Sequence, residues 1–122
     1  MGTHENHFEK YQNFKKEAEK SNYIPSKIEN YFLGVFHLID SILANYKIHS
    51  DLHKKIFNVL KENPQIFKDK TFPLMDAFRR IERDLRPGIT YGSKENGEKL
   101  EEVIKLVKSI EAICLPLIEE FQ

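Results

Sequence analysis

The apolar residues of this chain recur at spacings of three and four, and no run alternates with period two. That spacing builds helices with one apolar face and leaves no pattern for a half-buried strand. The expected fold is all-α: an antiparallel, up-and-down bundle of four to five helices forming a single domain over residues 1–122. Phe8, Tyr11, Phe14 and Ala18 mark a first stripe, ended by Ser21-Asn22. A broader stripe of Ile28, Phe32, Val35, Phe36, Ile39, Ile42, Leu43 and Tyr46 marks the second helix as the central one.

The punctuation between stripes sets the boundaries. Pro25 precedes Ser26-Lys27-Ile28-Glu29, a capping-box pattern for the start of the second helix. Ser50 and Asp51 are candidate caps for a third helix carrying Leu52, Ile56, Val59 and Leu60, which Asn63-Pro64 stops. Ile66 to Lys70 reads as a loop. Thr71 and Pro73 open a fourth helix with Leu74, Ala77, Phe78, Ile81 and Leu85, closed by Pro87-Gly88. After a turn at Tyr91-Gly92-Ser93, a long last helix runs from Leu100 to Leu117, with Pro116 expected to kink it or end it early.

Charge narrows the function classes. Lys plus Arg equal Asp plus Glu at 19 each, so there is no general basic coat and any nucleic-acid site has to be a local patch. Cys114 is the only cysteine, so no internal disulfide forms, in keeping with a reducing compartment. Met1 to Lys20 lacks the apolar core of a secretory signal. The apolar stretch Tyr31 to Tyr46 is broken by Gly34, His37, Asp40 and Asn45 and falls short of the roughly 20 residues a membrane span needs. The expectation is a cytoplasmic protein with no membrane contact.

One clustering stands out. Fifteen Lys are spread along the chain, but the four Arg, Arg79, Arg80, Arg83 and Arg86, fall within eight residues of the fourth helix. Arg79, Arg83 and Arg86 share one face at i, i+4, i+7 spacing, away from the apolar stripe. A planar guanidinium grips phosphate or carboxylate at two points and stacks on flat rings, which Lys does not. The alternative is a solvated face paired to Asp76, Glu82 and Asp84, with Glu82 and Arg86 at i, i+4.

The segment Arg83-Asp84-Leu85-Arg86-Pro87-Gly88-Ile89-Thr90-Tyr91 resembles the signature of the HEPN family. That motif is an Arg followed by Asn or Asp, then a few positions later a His, often with a Tyr two residues on. Arg83-Asp84 matches its opening and Tyr91 its close. Ile89 stands where the His belongs, and no His follows His53. The Phe36-His37-Leu38-Ile39-Asp40 stretch on a long second helix is similar to small archaeal members. The resemblance implies a small helical bundle acting as a homodimer. It also implies a nucleotide- or RNA-binding role in a toxin–antitoxin system or beside a nucleotidyltransferase partner. In the nucleases of the family, Arg and His work together on the RNA backbone, the His moving a proton and the Arg stabilising phosphate charge. Ile89 does neither, and Tyr91, with a reference pKa near 10, is a poor base at neutral pH. The pattern therefore favours phosphate binding by Arg79, Arg80, Arg83, Arg86 and Tyr91 over cleavage. If cleavage survives, Arg83, Asp84 and Tyr91 are its candidate residues, in a metal-independent ribonuclease with a non-standard acid–base group. A third reading is an interaction module whose Arg face meets an acidic protein.

His49 and His53 have the i, i+4 spacing of metal ligands on a helix, and His37 with Asp40 would add ligands if the helices met. The simpler account makes His37 and Asp40 a buried polar pair and His49 and His53 polar surface, so no metal or cofactor is expected. His4 and His7 read as mobile terminal residues, and Cys114 as a small buried hydrophobe. Phe14, Tyr23, Tyr31 and Tyr46 are candidates for either core or a dimer surface.

Overall fold

A computed structural model describes residues 3–49, 55–86 and 95–121. They form an all-helical bundle with no strand among the described residues. Helix α1 (His4–Lys20) starts on Thr3, whose Oγ1 accepts the Asn6 N–H at 3.1 Å. His4 and His7, expected as terminal residues, lie in this helix and both pack against the next one. Helix α2 (Ile24–Asn45) begins earlier than the Ser26–Glu29 pattern suggested. Pro25 occupies the first turn, where its missing N–H costs nothing and its fixed φ suits a helix. Ser26 therefore lies inside the helix, and its carbonyl accepts the Asn30 side-chain amide at 2.9 Å. The capping box does not form, which leaves Glu29 available elsewhere.

Helices α1 and α2 run antiparallel. His4 meets Ser41, His7 meets His37, Tyr11 passes Gly34, and Lys27 donates to the Ala18 carbonyl at 2.8 Å. The central position of α2 follows from its composition: Ile28, Phe32, Val35, Leu38, Ile39, Ile42 and Leu43 are all essentially buried. The α1 backbone approaches α2 at Gly34, where a Cβ would lie 3.5 Å from both Phe14 Cβ and the Tyr11 carbonyl oxygen.

Helix α3 (Ile56–Glu62) contributes Ile56, Phe57 and Leu60 to the core. Its proposed caps, Ser50 and Asp51, and Leu52 lie outside the described residues. The expected loop at 66–70 is helical instead. Pro64 opens a single turn, α4 (Pro64–Phe67), and a tight turn, Lys68–Lys70, follows. Burial of Ile66 and Phe67 explains the difference, because an apolar pair has core to gain by coiling inward. The break falls at Lys68, which adopts φ 55°.

Helix α5 (Thr71–Arg79) does not continue as an α-helix. Over Arg80–Leu85 the coil widens, and the Arg86 N–H reaches the Ile81 carbonyl at 3.0 Å, an i to i−5 bond. Such wide turns are rare and re-aim the side chains that follow them. Pro87-Gly88 and the Tyr91–Ser93 turn lie outside the described residues. Helix α6 (Glu95–Glu120) runs through Pro116, which therefore does not end it. It is antiparallel to α5, with Arg80 beside Glu102, and its end reaches Tyr46, whose ring meets Phe121 edge-on at 6.1 Å. No helix among the described residues is long and apolar enough to cross a membrane.

Of the aromatic candidates for a dimer surface, Tyr31 is buried and Phe14 half-buried, while Tyr23 and Tyr46 are about half exposed. The core between α2, α3 and α5 is aromatic. Phe78 packs on Phe32 with ring centres 5.2 Å apart and on Phe57 at 5.7 Å. These three rings form the floor under the arginine helix.

Candidate anion site on the arginine helix

Each arginine has a different environment, set by where α5 and the wide turn aim it. Arg79 and Arg83 share a face and lie over the same ring, Phe57 of α3, with guanidinium carbons 5.1 and 5.7 Å from its centre. A cation over an aromatic face is attracted by the ring's negative quadrupole. Arg79 also comes within 3.6 Å of the exposed Asp76 carboxylate, a loose contact, and its Nε is buried with no hydrogen-bond partner among the described residues. Arg83 is exposed and has no carboxylate partner among the described residues.

Arg86 and Arg80 are neutralised. Past the wide turn, Arg86 swings onto α2: its guanidinium carbon sits 4.0 Å above the centre of Phe32. Its Nε and Nη2 donate to the two carboxylate oxygens of Glu29 at 2.8 and 2.9 Å. Arg80 points the other way, to α6, and grips both oxygens of Glu102, with Nη2 at 2.9 Å, while Nη1 reaches Asp84 at 3.1 Å. These bonds raise the Arg80 pKa, and Arg80 in turn holds the Glu102 carboxyl below its ordinary range. Asp84 is thus occupied as a support for Arg80. The picture of a free arginine face is corrected: Arg79, Arg83 and Arg86 rest on rings, and the carboxylates that quench Arg80 and Arg86 are chiefly distant ones.

Tyr91, Ile89 and His53 lie outside the described residues. His49 is exposed and sits beyond the end of α2, where Lys47 at φ 61° has turned the chain out of the helix. His37 does not meet Asp40: its Nδ1 lies 3.1 Å from Nδ1 of His7 on α1. No group of three or more His, Cys, Asp or Glu side chains suited to a metal is found among the described residues. Cys114 is fully buried on α6, and burial pushes its thiol pKa well up, so it packs as an inert hydrophobe.

A second polar cluster had no sequence signal. Tyr11 Oη and Lys15 Nζ, the latter at 2.7 Å, both donate to the same oxygen of the buried Glu111. Burial and the Glu111 carboxylate push the Tyr11 phenol upward. The cluster borders an open groove of about 380 Å³ between α1 and α6 and ties those helices together. No family model, no curated protein and no solved structure matches this chain.

Proposed function

We propose that this chain is a HEPN-like helical protein that binds RNA or nucleotide phosphate through Arg83 and Arg79. Its setting is a homodimer, in a toxin–antitoxin system or beside a nucleotidyltransferase. The observation that carries the reading is Arg83: an exposed guanidinium over Phe57, beside a second arginine, and with no carboxylate partner among the described residues. A guanidinium held over a ring has lost part of its side-chain freedom before any anion arrives, which reduces the entropy lost on binding. The Arg83-Asp84 to Tyr91 pattern supplies the family link. Binding is favoured over cleavage because Ile89 replaces the proton-handling His and because His4, His7 and His37 are engaged in the α1–α2 seam.

Fluorescence anisotropy with a labelled single-stranded RNA tests this. Binding should weaken steeply between low and moderate salt, and Arg83→Ala should flatten the salt slope by about one. Arg80→Ala, which removes an arginine already held by two carboxylates, should change little. Absence of RNA or nucleotide binding at low salt would end this reading.

A further inference from the structure

Resting on the reading above, we propose that Arg86 is a second phosphate subsite and that Glu29 is its built-in competitor. The four arginines form a graded series. Arg80 is held by two carboxylates, Arg86 by one, Arg79 by a loose contact and Arg83 by none among the described residues. Glu29 meets Arg86 along the two-nitrogen edge of the guanidinium, which is also the edge a phosphate takes. The carboxylate therefore occupies the place of the ligand.

The exchange is geometrically open. The Glu29 side chain is 44% exposed and the Arg86 side chain 25%. Glu29 can leave to solvent while the guanidinium stays on Phe32, so the buried ring is not uncovered. Arg83 lies one turn away over Phe57, and both rings pack on Phe78, so the two guanidiniums stand on one continuous aromatic cluster. An anion with one phosphate is satisfied at Arg83. A phosphodiester chain anchored there presents a neighbouring phosphate at high local concentration and displaces the carboxylate. The ligand class is thus an oligonucleotide, not a mononucleotide or free phosphate.

The test is a double-mutant cycle on binding. Wild type, Glu29→Gln, Arg86→Ala and the double variant are titrated with a labelled ten-nucleotide RNA and, separately, with inorganic phosphate, after thermal unfolding has confirmed that each is folded. Glu29→Gln should tighten RNA binding by about two- to fivefold, the range set by one half-exposed ion pair. The gain should vanish in the Arg86→Ala background, and phosphate affinity should not move. Equal tightening with and without Arg86 would mean a general charge effect and overturn the proposal, as would no change on Glu29→Gln. In either case, a loss of RNA binding on Arg83→Ala would leave the phosphate-binding reading standing. No RNA binding by any of the four proteins overturns both.

Discussion

Acidification should loosen this protein at one seam. His7 of α1 and His37 of α2 face each other with Nδ1 atoms 3.1 Å apart and ring centres 5.3 Å apart, the planes 25° from parallel. The ring centres are farther apart than the nitrogens by about two ring radii, so the contact is an in-line N–H···N bond between nearly coplanar rings. One nitrogen donates and the other accepts, and the bond is complete with both rings neutral. Phe14 and Phe36 pack on His37, and no carboxylate among the described residues is bonded to it. Burial, then the nearby His7 and Lys10, push the His37 pKa down to about 4, and burial, then Lys10 and His49, lower that of His7. An unfolded His titrates near 6.5, so on acidification the unfolded chain takes the proton first. Stability is full above pH 6.5 and falls as the pH drops through 6.5 toward 4. Taking His37 alone, the two pKa values give about 2 kcal/mol lost between pH 7 and pH 5, or about 1 after discounting for its partial exposure. Urea unfolding followed by far-UV circular dichroism at pH 7, 6 and 5 measures this directly. A His37→Phe variant, which keeps a ring between Phe14 and Phe36, removes the titration. The stability of wild type minus that of the variant should fall by about 1 kcal/mol from pH 7 to pH 5. A difference that stays constant, or that grows with acid, would refute the reasoning.

Two further outcomes follow from packing. Gly34→Ala should stabilise the protein by about 0.5–1 kcal/mol in thermal unfolding, since the new methyl meets Phe14 and Tyr11 at ordinary contact distance and the helix interior loses a glycine; destabilisation would show that the α1–α2 crossing is tighter than 3.5 Å implies. Cys114 should resist a thiol reagent at neutral pH until the chain unfolds, because the side chain is buried and its thiolate disfavoured; rapid labelling of native protein would contradict its placement.

Elements governed by local periodicity were legible in the sequence. The stripes of α1, α2 and α6 appear as the three-and-four spacing requires, and Cys114 falls in the core where its stripe puts it. Features decided by distant partners were not. Residues 66–70 are polar enough to read as a loop, yet Ile66 and Phe67 gain burial that only the assembled core provides. His4 and His7 look like terminal residues until α2 supplies Ser41 and His37 as partners. The arginine cluster itself was plain, but the state of each member was not, because Glu102 lies 22 residues from Arg80 and Glu29 lies 57 residues from Arg86.

Glu29 shows how one residue passes between those two kinds of information. By local pattern alone it would complete a capping box with Ser26, worth about 1 kcal/mol at a helix start. Pro25 moves the start upstream, which places Ser26 in the first turns and leaves Glu29 on the helix surface. The wide turn at Arg80–Leu85 then delivers Arg86 to it across the bundle. Had α5 stayed α-helical, Arg79, Arg83 and Arg86 would share one face and repel one another over a single patch. The extra residue in the turn divides them between Phe57 and Phe32, and an acidic side chain settles one of the two platforms. Concentrating four positive charges in eight residues is thereby made compatible with a stable helix, and Arg83 is left as the member with no acidic partner among the described residues.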